Sequence, residues 1–127
     1  MGSEMCIRDR YWCNVKCDST VKAGDVLTFD SSSQLWSKAS SLSTPLGVAR
    51  EDAVQREGQD YFFTPLAMQG SCLAKASRDI VNEGGELNVE NGAVYVDNNA
   101  DGCGIIVPNN IDYPNRVTGD LVTIIIR

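Results

Sequence analysis

Residues 97–102, Asp-Asn-Asn-Ala-Asp-Gly, carry the most specific run of ligand-type side chains in the sequence. Asp97, Asn99 and Asp101 place oxygens at alternate positions, as the first half of a calcium loop does, and Gly102 permits the sharp turn such a loop needs. The second half fails. Pro108 stands where a bidentate glutamate should close the coordination shell, and the segment is not flanked by helical patterns. An Asx-rich turn, in which short polar side chains bond their own backbone, accounts for the same residues, so no metal or cofactor is expected.

Thiols and carboxylates are the other reactive groups. The chain has 5 cysteines and no histidine, which removes Ser-His-Asp and Cys-His catalysis and histidine-ligated metals. Lys16 or Lys75 could still lower the pKa of a neighbouring thiol. The simpler reading is that Cys13 and Cys72 are small apolar residues in a buried strand. Cys13 and Cys17 form the only close pair, with no second pair to complete a zinc site, so free thiols are expected. Glu51-Asp52 and Arg78-Asp79 offer carboxylates, but no pattern in the sequence makes them converge, and solvated loop charges are the better reading. No catalytic residue is assigned and the chain is not expected to be an enzyme. Among the aromatics, Tyr95 and Phe62 read as core, whereas Trp12 and Trp36 remain a candidate interaction surface, since exposed rings can stack on sugars.

With 11 Lys+Arg against 17 Asp+Glu, the net charge is −6. A phosphate-tracking surface needs a basic stripe, so nucleic acid is not an expected partner. The longest strongly apolar stretch, Leu121–Ile126, is far shorter than a membrane-spanning helix requires, so no membrane partner is expected.

The elements that must position these residues read as strands. Short runs rich in β-branched and aromatic residues alternate with turn clusters: 13–17, 25–29, 35–39, 46–50, 61–68, 72–76, 86–89, 93–96, 104–107 and 121–126. That spacing indicates an all-β small barrel or sandwich. Asn91-Gly92 between two such runs predicts a type I′ hairpin, and residues 50–56 could form one exposed helical turn.

The runs also repeat. Cys13–Cys17 aligns with Cys72–Ala76, Val21–Asp30 with Val81–Glu90, Leu35-Trp36 with Val94-Tyr95, and Leu46–Ala49 with Cys103–Ile106. Four matches in one order indicate two repeated β-units. The predicted organisation is a non-native segment over 1–10, a first β-unit over 11–58, a connecting strand over 59–70 and a second β-unit over 71–127. Units this small must share a core or pack on other chains, and the apolar 121–126 strand reads as buried on both faces, so a homo-oligomer is expected.

Two resemblances bear on this organisation. Met1–Arg10, MGSEMCIRDR, resembles the translation of an adapter used in sequencing libraries, which implies a gene fragment from an environmental sample, with native sequence resuming near Tyr11. The β-unit resembles small β domains of tailed-phage virion proteins, namely capsid decoration (cement) proteins and tail-fibre head domains. The residues carrying that likeness are Val21–Leu27, Leu46–Asp52, Gly70–Ala76, Ile80–Leu87, Gly92–Val96, Gly104–Val107 and Gly119–Ile126. It implies a non-enzymatic virion protein, made in the host cytoplasm and usually trimeric, that contacts other virion proteins. The aromatics punctuating the strands tilt the reading from capsid toward fibre. The alternatives are a receptor- or glycan-binding fibre domain, with Trp12 and Trp36 on one exposed patch, and a β-clip module accompanying an enzyme.

Overall fold

A computed structural model describes residues 12–42, 45–81, 85–97, 102, 104–107 and 115–127, apart from the side chains of Trp12, Ile80, Val81, Asn115 and Arg116. The chain is all-β. Its strands are β1 (Trp12–Cys17), β2 (Val26–Asp30), β3 (Leu35–Lys38), β4 (Leu46–Ala49), β5 (Val54–Gln55), β6 (Phe62–Ala67), β7 (Gly70–Lys75), β8 (Ile80–Val81), β9 (Gly85–Glu90), β10 (Ala93–Val96), β11 (Gly104–Ile106), β12 (Asn115–Arg116) and β13 (Leu121–Ile126). The helical turn expected over 50–56 is not formed: Val54-Gln55 pairs with Phe62-Phe63 instead.

β1, β3, β2, β4 and β6 are hydrogen-bonded in that order, and β6 pairs back onto β1 to close a five-stranded barrel. β7, β10, β9, β11 and β13 repeat this order. The sheet runs β10-β9-β11-β13-β7, and a parallel bridge between Ala76 and Val94 joins its ends, as the parallel pair Cys17 and Trp36 joins β1 to β3. The same backbone bond seals both seams: Asp18 N–H donates to the Trp36 carbonyl and Ser77 N–H to the Val94 carbonyl.

Register repeats with the strand order. Leu27 lies opposite Gly47, and Leu87 falls opposite Gly104 when the pairing of Glu86 with Ile105 is continued by one residue. Both glycines are required by close approach. A Cβ on Gly47 would meet Leu66 Cγ at 2.7 Å, and one on Gly104 would collide with the Ile125 carbonyl. Leu66 fills the space left at Gly47, Leu87 Cδ2 would lie 3.1 Å from a Cβ at Gly104, and Leu27, Leu66 and Leu87 are all fully buried. The expected match of Trp36 with Tyr95 is off by one residue. Phe29 pairs with Trp36 and Val89 with Val94, so Trp36 corresponds to Val94. A one-residue slip changes the face of a strand, and Tyr95 accordingly points away from the barrel interior.

Phe62–Ala67, expected as a connecting strand within 59–70, is a wall of the first barrel and the counterpart of β13. It pairs with β1 along its whole length, as β13 does with β7. β13 is also not an apolar strand buried on both faces. Val122, Ile124 and Ile126 point inward, whereas Ile125 points outward and is 38% exposed. Both edges of β13 are bonded within the chain, to β11 and β7.

The two barrels form one body. One cluster of buried residues, with Leu27, Trp36, Ala49 and Leu66, fills the first barrel. The second cluster joins Leu87, Val94, Ile106 and Ile124 of the second barrel to Val26, Ala39 and Val48 on the outer wall of the first. Gly92 at the β9–β10 turn stitches them together: its carbonyl accepts from Val26 N–H and its N–H donates to the Ala39 carbonyl, both at 2.8 Å. Asn91 and Gly92 have φ of 49° and 78°, the positive pair that a type I′ turn requires.

Candidate interaction surface

The joint between the barrels shows how this fold makes contacts. Across the first barrel, Ala39, Val26, Val48 and Ala67 stand side by side on neighbouring strands, a register set by Val26 opposite Val48 and Val48 opposite Ala67. All four are buried, the first three in the cluster shared with the second barrel. A polar latch closes one side. Lys75 Nζ lies 3.2 Å from Asp25 Oδ1, Lys38 Nζ lies 4.0 Å from Asp25 Oδ2, and Lys22 N–H donates to the same carboxylate at 2.8 Å. Asp25 is a buried acid, held by two cations and a backbone donor, as a buried carboxylate must be.

The equivalent row on the second barrel is Asp97, Glu86, Ile105 and Ile125. Glu86 pairs with Ile105 and Ile105 with Ile125, while Asp97 N–H donates to the Glu86 carbonyl as Ala39 N–H does to that of Val26. Two alanine/valine positions have thus become carboxylates. Asn88 Nδ2 donates to Asp97 Oδ2 at 3.0 Å, and Arg127 Nη1 lies 3.8 Å from Glu86 Oε1. Glu86 Oε2 is shielded from solvent and accepts no hydrogen bond among the described residues.

Of the calcium candidates that the Asx-rich turn reading sets aside, Asp97 sits in this row, and Asn99 and Asp101 lie outside the described residues. Among the described residues, no three His, Cys, Asp or Glu side chains converge as a metal site would require. Trp36 is not an exposed platform: it is 9% exposed and packs edge-on against Phe29 with ring centroids 6.0 Å apart. This pair plugs the open end of the first barrel, where the second barrel has the smaller Val89 and Val94. The side chain of Trp12 lies outside the described residues; its backbone pairs with Ala67. Phe62 packs against the first core. Tyr95, expected in the core, instead carries the Arg78 guanidinium 3.8 Å above its ring.

The remaining chemical candidates are engaged in structural bonds. Asp52 accepts from Ala23 N–H, and Asp79 accepts from both Thr118 N–H and Thr118 Oγ1. Arg78 forms a two-point bond to Glu90 that holds the Glu90 carboxyl below its ordinary value. Cys13, Cys17 and Cys72 are free thiols. Burial, and secondarily the charge of Asp18, pushes Cys17 up to about 11. Burial likewise pushes Cys72 up to about 11, against the opposing charge of Arg50. Thiols held protonated in this way are poor nucleophiles.

The row on the second barrel was not legible in the sequence as a surface, because Glu86 and Asp97 belong to different strands; the repeat register was the signal that could have found it. Among the described residues no helix is long and apolar enough to cross a membrane. Comparison of the chain with models of protein families, with curated proteins and with solved structures found no match.

Proposed function

We propose that this chain is a non-enzymatic structural protein of a tailed-phage virion, acting by self-association and by contact with capsid or fibre proteins. The observation that carries the reading is the joint itself. One β-unit seats the end of another against its outer wall, with an apolar row, a glycine turn and an ion-pair latch, and the second barrel presents the equivalent row with two of its four positions acidic. A unit that binds its own kind in this way suits assembly. The groups best placed for acid–base chemistry, Asp25, Asp52, Asp79 and Glu90, hold turns and barrel contacts. The resemblance of the β-unit to decoration and fibre domains supplies the virion setting, and the burial of Trp36 favours assembly over glycan stacking.

Light scattering on the purified chain across low to high micromolar concentration tests the self-association. A mass that rises to a defined multiple, with a trimer favoured, is expected, and a monomer throughout would overturn it. The virion setting is tested by the genes flanking the coding sequence: head or tail genes are expected, and metabolic neighbours would count against it.

A further inference from the structure

The correspondence between the barrels extends to the residues that make the joint. Lys75, which reaches Asp25 across it, has Lys16 as its counterpart, because β1 and β7 pair with β6 and β13 in the same register. Lys16 is exposed, with its Nζ 4.5 Å from the centroid of the Tyr61 ring. The counterpart of the Asn91-Gly92 tip is the exposed Ser31–Gln34 turn, and Phe29, the counterpart of the buried Val89, is 37% exposed. The first barrel therefore carries, in the same strand order, the counterpart of the mouth that the second barrel presses onto its neighbour, plugged by Trp36 and with Lys16, Phe29 and the Ser31–Gln34 turn exposed. The second barrel carries a wall built like the one that receives such a mouth.

We propose that the Asp97–Glu86–Ile105–Ile125 row of the second barrel seats the first-barrel mouth of another copy of the chain, head to tail, with Lys16 of that copy answering the Glu86 and Asp97 carboxylates. The inference rests on the self-association half of the proposed function and adds its geometry. Three observations converge on a second copy. The contact continues one already made within the chain. The partner mouth brings the exposed Lys16 ammonium to a wall where the Glu86 side chain is 31% exposed and its nearer oxygen, Oε1, stands 3.8 Å from Arg127 Nη1. Ile125, 38% exposed, stands where Ala67 is covered in the first barrel. Two acidic residues at the mouth are engaged in their own turns: Asp30 accepts from Ser32 N–H at 2.9 Å, and Asp18, beside the seam with Trp36, accepts from Thr20 N–H and Thr20 Oγ1 at 2.8 Å. Complementary charge at such a rim chiefly sets register and encounter rate, while the apolar contact supplies the attraction. Because the two surfaces differ, the contact is heterologous and gives a ring or an open filament, not a two-fold dimer.

Charge reversal on either surface tests this. Lys16→Glu and Glu86→Lys, each checked for an unchanged circular-dichroism spectrum, are expected to weaken association by about tenfold or more at low salt. Mixing the two variants is decisive. Lys16→Glu keeps a sound wall and Glu86→Lys a sound mouth, and the two reversed surfaces are complementary to each other, so the mixture recovers extended assembly with the two variants alternating. Combining both changes in one chain restores extended assembly. If the wild-type chain associates but neither reversal changes its mass, or if the mixture assembles no better than either variant alone, the head-to-tail geometry is wrong while self-association stands. A wild-type chain that stays monomeric at high micromolar concentration overturns both. Should a reversal alter the circular-dichroism spectrum, Lys16→Gln and Glu86→Gln replace the pair, with a smaller weakening expected and an unchanged mass overturning the geometry.

Discussion

Asp25 Oδ1 in the first barrel lies 3.2 Å from Lys75 Nζ in the second, and the latch stands directly beside the backbone bond from Lys75 N–H to the Gly24 carbonyl. The aspartate is buried while the lysine is partly exposed, so their contributions are unequal. Removing the cation leaves Lys38 and the Lys22 N–H to hold the carboxylate. Removing the carboxylate leaves the lysine able to reach solvent but strips the Lys22 N–H of its acceptor.

Asp25→Ala is expected to destabilise the chain by about 2 kcal/mol, chiefly through the lost acceptor. Lys75→Met should cost about 1 kcal/mol, since a half-exposed ion pair contributes little. Urea unfolding of the two variants and their combination measures the coupling. Strictly additive losses would show that the pair is not a latch.

Leu27 and Leu87 occupy equivalent buried positions, each facing a glycine. Replacing either with alanine leaves a cavity in a filled barrel, and each is expected to cost about 3 kcal/mol. Denaturant midpoints compare the two directly. A cost below about 1 kcal/mol at either position would mean that its barrel collapses around the loss and that the two sites are not alike.

The expected strands from 13–17 to 121–126 coincide with β1–β4, β6, β7, β9–β11 and β13 to within one or two residues. β-branched runs punctuated by Gly and Asx turns leave the chain few other choices. The repeat was legible wherever a shared residue type marked it, as in the glycines at 47 and 104. It slipped at Trp36 because the β2–β3 turn spans Ser31–Gln34 whereas the β9–β10 turn is Asn91-Gly92 alone, and residue type does not announce loop length. The equivalence of Phe62–Ala67 with Leu121–Ile126 was invisible for another reason: Pro65 and Ala67 stand where the second copy has Thr123 and Ile125. The covered wall of the first barrel tolerates a small residue, and the open wall of the second carries a large one. Which walls face each other is a tertiary fact with no local signature.

The thiols give a pH dependence of known sign. Cys17 and Cys72 are raised from the ordinary 9.0 to about 11, so between those values the folded chain keeps protons that the unfolded chain has released. Stability is therefore insensitive to these groups below pH 9 and falls as pH rises from 9 toward 11. Chemical denaturation at pH 8 and pH 10.5 measures the loss. In Cys17→Ala/Cys72→Ala the decline should be smaller; an unchanged slope would assign it to other groups.

Transplanting the open wall into the closed joint exposes what the joint demands. Val26→Glu places a carboxylate where the Val26 side chain is 1% exposed against the second barrel, with no partner provided. A charge buried in this way costs several kcal/mol, and the variant is expected to be largely unfolded or to have its barrels parted. Thermal melting followed by far-ultraviolet circular dichroism reads the result. A melting temperature within about 3 °C of the wild type would show that water reaches the joint and that its apolar row does not bind the barrels.

The two barrels should differ when separated, although their strand order is the same. The first carries its own plug, since Phe29 and Trp36 close its mouth edge to face over a core that is its own. The second relies on its neighbour: Val89 and Val94 are too small to close the mouth, and Val26, Ala39 and Val48 of the first barrel complete its core. Expressed alone, residues 12–68 lose cover over one outer wall but keep an intact interior, so a weakly stable folded domain is expected. Residues 69–127 alone open a core to water and are expected to be molten or aggregated, because a domain this small has little burial to spare. Dispersion of amide resonances in the two fragments decides the point. A well-dispersed spectrum from residues 69–127 would mean that the second barrel closes its own mouth, and the shared cluster would then be a contact between finished domains and not a common core.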